Sequence, residues 1–315
     1  MLLIFALLFV GFLILTLGAE LLVRGSSTLG LKLGISPLII GLTVVAFGTS
    51  APELAVSLDS ALTGRSSIAL GNVIGSNIAN IGLILGIVAI LCPVSIDQEL
   101  VKKQIPLLIG VSILMWLLLL DNELGVIDGV FLVAGLAGFL LVSYLQSARD
   151  KVAAELLMVS PIVGEPGKPT TYFIGMIILG LAMLVYGAHL FVESAVDMAL
   201  LLGISEAVIG LSVVAVGTSI PELATSLVAA WKKESALAVG NIIGSNLFNI
   251  LGILGITAII QPIYGGDFHV LDFLVMLAFA VVLLPFTWKS LQINRLQGCM
   301  LLSGYAGYMV YIFGK

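Results

Sequence analysis

Charge is scarce in this chain. Of 315 residues only 13 are Lys or Arg and 18 are Asp or Glu, about 10% in all. A soluble domain carries roughly 25%. With 60% hydrophobic residues and a mean hydropathy of +1.22, a water-soluble globule is excluded. There is no basic stripe, so nucleic acid is excluded as a partner. Cysteine is limited to Cys92 and Cys299, isolated in apolar surroundings, which argues against a disulfide framework. Histidine is limited to His189 and His269, too few for a zinc or copper cluster. The N-terminus has no positive segment and no small-residue cleavage site, and is read as a retained first span.

What remains is apolar sequence in long runs. A bilayer span needs about 20 apolar residues. Ten candidates appear: 2–23, 37–62, 67–91, 104–120, 126–146, 171–194, 206–230, 236–260, 270–288 and 296–313. One long polar connection, 147–169, separates residues 1–146 from 170–315. Lys and Arg mark cytoplasmic connections. Eleven of the 13 basic residues fall after the odd-numbered spans; the exceptions are Arg65 and Lys315. That pattern expects both termini outside a cell membrane. Trp231 and Trp288, beside Lys232 and Lys289, read as interfacial anchors.

The chain repeats itself at an offset of 169 residues. Gly41-Leu-Thr-Val-Val-Ala-Phe-Gly-Thr-Ser-Ala-Pro-Glu-Leu-Ala-Val-Ser-Leu58 returns as Gly210-Leu-Ser-Val-Val-Ala-Val-Gly-Thr-Ser-Ile-Pro-Glu-Leu-Ala-Thr-Ser-Leu227, with 14 of 18 positions identical. Gly71-Asn-Val-Ile-Gly-Ser-Asn-Ile-Ala-Asn80 returns as Gly240-Asn-Ile-Ile-Gly-Ser-Asn-Leu-Phe-Asn249. Five spans is an odd number, so the second half is expected upside down relative to the first. The fold expected is an all-α membrane protein of ten transmembrane helices, in two inverted five-helix repeats with broken helices at an ion site. Inverted halves with Gly/Pro-interrupted helices at matching positions point to a secondary transporter.

Each repeat places a carboxylate, Glu53 or Glu222, inside a span. That costs at least ~2.5–3.5 kcal/mol and marks a functional site by default. No Lys or Arg lies centrally in any span to pair with it. Pro52 and Pro221 remove helical hydrogen bonds and free carbonyls, expected to include those near Ala46 and Ala215, as cation ligands. Thr49 and Thr218 share a helical face with the glutamates. Ser50 and Ser219 lie beside them. Ser76 with Asn80, and Ser245 with Asn249, add neutral oxygens. A lone Ser or Thr would more simply bond back to its own helix; the duplicated context favours a cation role. Asn77 and Asn246 read as interhelical hydrogen-bonding residues, and Asn72 and Asn241 stay open. Gly71/Gly75 and Gly240/Gly244 are small-residue pairs that permit close helix approach. Glu20, Asp59 and Glu193 lie nearer span ends and read as interfacial. An all-oxygen set suits a hard cation, and two carboxylates match the charge of one Ca²⁺.

In these motifs the chain resembles the cation/Ca²⁺ exchanger superfamily, specifically its compact prokaryotic Na⁺/Ca²⁺ exchangers. The family's paired α-repeats look like residues 41–86 and 210–255. The resemblance implies Ca²⁺ at Glu53, Glu222, Thr49 and Thr218. It implies flanking Na⁺ sites with Ser76, Ser245 and the Ala46 and Ala215 carbonyls, and Asn80 and Asn249 at the midplane. It further implies three Na⁺ exchanged for one Ca²⁺, electrogenic, with the first and sixth spans sliding across the rest. Relatives with Asp at the position of Asn249 are associated with K⁺ cotransport, so Asn there expects K⁺ independence. A H⁺/Ca²⁺ exchanger, a K⁺-dependent exchanger and a cation channel are the competing readings. An intramembrane hydrolase is disfavoured, because the motif serines have no nearby His or Lys. No cofactor is expected beyond the transported ions, and no obligate protein partner is evident.

Overall fold

The computed structural model describes residues 2–156, 168–201, 215–265 and 270–313. The start of the expected 206–230 span, residues 206–214, and most of the second half of the 147–169 connection, residues 157–167, lie outside the described residues. Both halves run through the same order of elements. The first consists of α1 (Leu2–Leu33), α2 (Pro37–Thr49), α3 (Ala51–Leu62), α4 (Ser66–Leu91), β1 (Val94–Ser95), α5 (Leu100–Asp121), β2 (Glu123–Leu124) and α6 (Val126–Leu156). The second consists of α7 (Thr170–Leu201), α8 (Ala215–Gly217), α9 (Ile220–Trp231), α10 (Ser235–Ile260), β3 (Ile263–Tyr264), α11 (Val270–Thr287), β4 (Gln292–Ile293) and α12 (Arg295–Phe313). Among the described residues seven helices are long and apolar enough to cross a bilayer, or eight if the bent α2–α3 pair is one span.

Two helices form the centre. The apolar windows of α4 and α10 are 78% and 89% buried, against 28–39% for the other spanning helices. Phe5, Phe9, Phe12 and Ile127 are exposed on the outer helices, as a lipid-facing surface requires. Both α4 and α10 change to π-helical turns at the repeat asparagines, over Asn80–Leu85 and Phe248–Leu254. A π turn inserts one residue per turn and frequently marks a functional site. Another occupies Gly41–Val45 within α2.

Glycine sets the closest approaches. A Cβ built on Gly18 of α1 would meet the Gly180 carbonyl of α7 at 2.9 Å, and one on Gly180 would meet the Leu22 nitrogen at 2.7 Å. These two 32-residue helices therefore touch backbone to backbone. Gly41 of α2 and Gly240 and Gly244 of α10 make a second crossing of the same kind. Their Cβ positions lie 2.5 Å from Leu237 O, 2.6 Å from Leu38 O and 2.6 Å from Leu42 O. The expectation for Gly240 and Gly244 thus holds, whereas Gly75 has no described atom within 4 Å of its Cβ position. Two short antiparallel ladders tie the halves together at the span ends: β1 pairs with β4 and β2 with β3, each joining one half to the other.

One boundary differs from the sequence reading. Residues 147–156 were expected to open the polar connection, yet α6 continues as helix to Leu156. The sequence Ser147-Ala-Arg-Asp-Lys-Val-Ala-Ala-Glu-Leu156 is polar but rich in good helix formers. Loss of hydrophobicity there marks departure from the apolar layer, not the end of the helix.

Candidate cation site

The breaks fall at Ser50 and Ser219. Both residues adopt bridge-region backbone, φ −84°, ψ 7° and φ −89°, ψ 6°. The α2–α3 bend is 45°. Pro52 and Pro221 each occupy the first turn of the following helix, where a missing N–H costs nothing. Glu53 and Glu222 lie in those same first turns. The positive end of each helix dipole therefore stands behind a carboxylate. The Ala46 carbonyl was expected to be free; instead it accepts from the Ser50 N–H at 3.0 Å and the Thr49 hydroxyl at 3.3 Å. The chain bends at Ser50 rather than at the proline, so the helical turn before it stays closed. Ala215 opens the short turn Ala215–Gly217, and Thr218 follows it before the break.

Both glutamates are 1% exposed. Each is held by the opposite half. Ser50 Oγ donates to Glu222 Oε1 at 3.2 Å, and Ser219 Oγ donates to Glu53 Oε1 at 3.4 Å. Ser245 Oγ donates to Glu222 Oε1 as well, at 3.5 Å. Thr49 Oγ1 has Asn241 Oδ1 at 3.1 Å as the nearer of the two acceptors that share its one proton, and lies 3.5 Å from Ser245 Oγ. The serines of the breaks therefore bridge the halves and do not merely bond back to their own helices.

Further residues brace the glutamate backbones. Asn72 Nδ2 donates to Glu53 O at 3.1 Å and to Ser57 Oγ at 2.9 Å. Asn241 Nδ2 repeats this with Glu222 O at 3.5 Å and Ser226 Oγ at 3.0 Å. Asn72 and Asn241, left open by the sequence, thus brace the breaks. Ser57 and Ser226 were missed. The signal was available: both are identical in the repeats and lie one helical turn beyond a glutamate.

The repeat asparagines form an amide cluster between α4 and α10. Asn80 Nδ2 donates to Asn246 Oδ1 and Asn249 Nδ2 donates to Asn77 Oδ1, both at 3.0 Å. The interhelical role expected of Asn77 and Asn246 is therefore what their hydrogen bonds show.

Ten buried side-chain oxygens have no hydrogen-bond partner among the described residues, and they include one oxygen of each glutamate, Glu53 Oε2 and Glu222 Oε2, together with Ser76 Oγ, Asn80 Oδ1 and Asn249 Oδ1 of the repeat motifs. Unsatisfied buried polar groups are rare and each needs an explanation. A contrasting buried carboxylate, Asp272, is 8% exposed and accepts from the Tyr308 hydroxyl at 3.0 Å. Lys103–Glu99 and Lys232–Glu20 form ion pairs at exposed positions instead, and His189 Nε2 lies 3.3 Å from Glu193. No group of three or more His, Cys, Asp or Glu able to hold a metal occurs among the described residues. The donor set is two carboxylates and neutral oxygens, suited to a hard cation as cargo and unsuited to tightly resident zinc. A cavity of about 540 Å³ lies between the α2–α3 break and α7, lined by Phe47, Gly48, Ala51, Leu181, Tyr186 and His189 among others. It is apolar and contains neither glutamate.

A mostly helical membrane protein with duplicated helix breaks around two buried, unpaired carboxylates falls in the class of membrane cation transporters. The chain belongs to the sodium/calcium exchanger protein family, whose sequence profile matches residues 3–145 and 172–314. It is similar to the inner membrane protein YrbG of Escherichia coli (strain K12), at 37% identity over 99% of this chain and 98% of that one. It is also similar to the sodium/calcium exchanger MaX1 of Methanosarcina acetivorans, at 33% identity over 96% of this chain and 99% of that one. Among solved structures it resembles the sodium-calcium exchanger NCX_Mj soaked with 10 mM Na⁺ and 10 mM Sr²⁺. The TM-score is 0.83, with 31% identity and 98% of each chain covered. The family is one of transporters, not enzymes.

Proposed function

We propose that the protein is a secondary antiporter that exchanges Na⁺ for Ca²⁺ at one shared site by alternating access. The observation that carries this reading is the pair of buried glutamates from opposite halves, each with one carboxylate oxygen unpartnered among the described residues and the other held by a serine of the opposite half. Two unneutralised carboxylates in a low-dielectric interior are costly. A cation that enters between them repays that cost. The ligands of Ca²⁺ are Glu53, Glu222, Thr49 and Thr218. Na⁺ is held by the same glutamates with Ser76, Ser245, Ser50, Ser219, Asn80, Asn249 and the carbonyl of Ala215; the Ala46 carbonyl is already engaged by its own helical turn.

Coupling follows from competition for the glutamates. Ca²⁺ leaves the pair neutral, and three Na⁺ leave one positive charge. Moving that charge is worth about 2.3 kcal/mol per 100 mV. Inward Na⁺ therefore drives Ca²⁺ out of a cell with a negative interior. Ten spans in two inverted halves, with both termini outside the cell membrane, complete the reading. Asn at both 80 and 249 supplies no third carboxylate, so exchange needs no K⁺.

The test is ⁴⁵Ca²⁺ uptake into proteoliposomes preloaded with Na⁺ in K⁺-free buffer, with the membrane potential clamped or free. Uptake that requires the outward Na⁺ gradient and responds to potential is the expected result. Uptake that follows a proton gradient instead would replace Na⁺ by H⁺ as coupling ion. Uptake that appears only with K⁺ would refute the K⁺ independence.

A further inference from the structure

The amide cluster has a direction. Asn77, 2% exposed on α4, directs its Nδ2 at two acceptors, the Asn246 backbone carbonyl at 3.5 Å and Met276 Sδ at 3.8 Å. A backbone carbonyl can only accept. The nitrogen end of the Asn77 amide faces Asn246 O and Met276, and its Oδ1 points the other way. There it accepts from Asn249 Nδ2 at 3.0 Å. This in turn assigns the Asn249 amide: its nitrogen is taken by Asn77, and its Oδ1 is left as one of the unpartnered buried oxygens. The mirror pair is anchored at one end only. Asn246 Oδ1 accepts from Asn80 Nδ2 at 3.0 Å, but Asn246 Nδ2 has no partner among the described residues.

We infer that Asn77, which touches no transported ion, is the positioning residue that makes Asn249 present an oxygen rather than an amide nitrogen to the cation. This rests on the cation-site reading above and assigns a role within that site. The chemistry is a matter of sign. An Asn side chain has one acceptor end and one donor end of nearly equal size. Reversed, Asn249 would aim two N–H groups at the place where a cation sits. The Asn77 acceptor prevents that reversal. A carboxylate at position 249 would have no wrong end, and would need no such guide.

That difference provides the test. Ca²⁺ dissociation constants are measured by isothermal titration on the detergent-solubilised full chain, for wild type, Asn77→Leu, Asn249→Asp and the double variant, with Glu53→Gln as control. Loss of a residue that orients a metal ligand typically costs roughly 10–100-fold in affinity. Asn77→Leu is expected to weaken Ca²⁺ binding by that factor in the Asn249 background. In the Asn249→Asp background position 249 no longer donates to Asn77 Oδ1, and the same substitution is expected not to weaken binding. Should Asn77→Leu fail to fold, Asn77→Ala takes its place in the cycle. An equal loss in both backgrounds would make Asn77 a packing residue and overturn the inference, as would unchanged binding in Asn77→Leu. Unchanged binding in an Asn249→Leu variant would show that position 249 does not face the ion, and the inference would fall with it. The Glu53→Gln control separates the two levels: if it binds Ca²⁺ like wild type, the cation-site reading itself fails, whatever Asn77 does.

Discussion

Substituting Gly244 by Ala should damage the ion site without touching any of its ligands. The added methyl would lie 2.6 Å from Leu42 O, 2.7 Å from Leu42 Cα and 2.8 Å from Ala46 Cβ. Two of these three atoms are backbone and the third is a Cβ, so no side chain can rotate out of the way. Restoring an ordinary contact of 3.4 Å requires α2 and α10 to part by about 0.8 Å. Overpacking of this kind costs about 1–3 kcal/mol. The same displacement would stretch the Thr49–Asn241 bond from 3.1 Å beyond hydrogen-bonding range and loosen the 3.5 Å approach of Thr49 to Ser245. A misplacement of about 1 Å in a preorganised site costs up to ~100-fold in rate. Gly110→Ala is the matched control, because nothing lies within 4 Å of its Cβ position. The assay pairs thermal unfolding in detergent with Na⁺-driven ⁴⁵Ca²⁺ uptake. Gly244→Ala should lower both, and Gly110→Ala should lower neither. A Gly244→Ala protein with wild-type melting and wild-type flux would refute the close crossing and the transmission of strain from it.

Glu53→Gln and Glu222→Gln should each abolish Na⁺-driven Ca²⁺ flux, and each should abolish the rise in melting temperature that Ca²⁺ gives the wild type; a Gln variant still stabilised by Ca²⁺ to the wild-type degree would contradict this. Ser50→Ala and Ser219→Ala remove equivalent bonds of 3.2 and 3.4 Å to the opposite glutamates. Each should cost about 1 kcal/mol in stability and weaken Ca²⁺ binding to a similar degree, read by titration; an effect confined to one of them would break the equivalence of the halves. Flux should fall as pH is lowered from about 8 to about 5, since a protonated carboxylate is a poor cation ligand; a flat profile in the reconstituted assay would count against carboxylate ligation. Breaking the exposed Lys232–Glu20 pair by Lys232→Ala should change unfolding free energy by no more than ~1 kcal/mol; a larger change in chemical denaturation would assign that pair a structural weight that exposed pairs seldom have.

The residues of the centre were legible because they are duplicated. A lone Ser in an apolar helix carries little information, but Ser50 and Ser219 beside Glu53 and Glu222 are a repeated departure from apolar sequence. What they bond to was not legible. Periodicity within one helix expects a hydroxyl to bond back four residues, whereas Ser50 donates 172 residues away. The break was located by its prolines, yet the backbone turns at the serine before each one, since Pro at the first helical turn is compatible with a regular helix. The π turns at Asn80 and Phe248 leave no mark in composition. The direction of the Asn77 amide was hidden as well, because it depends on a backbone carbonyl of the other half and on Met276, neither of which is marked by a motif side chain. The continuation of α6 to Leu156 was obscured by a different confusion, between the edge of the apolar layer and the end of hydrogen bonding.

The cross-bonding of the two halves has a consequence for how a cation can be coupled to movement. Glu53 receives its hydroxyl from Ser219 and Glu222 receives one from Ser50, so neither carboxylate is oriented by its own half alone. Asn80 is likewise held by Asn246, and Asn249 by Asn77. Any displacement of one half against the other must therefore alter both carboxylates and both amide oxygens together. If each half carried a self-contained ligand set, the halves could shift while each kept its ions. An interlocked set cannot: the geometry that satisfies a cation exists only in particular relative placements of the halves. A bound cation in turn favours those placements by its differential affinity for them, which is the only means by which any ligand shifts a conformational equilibrium. On the exchange reading, this interlock ties occupancy to motion through four side-chain bonds, with no separate relay between the site and the moving parts.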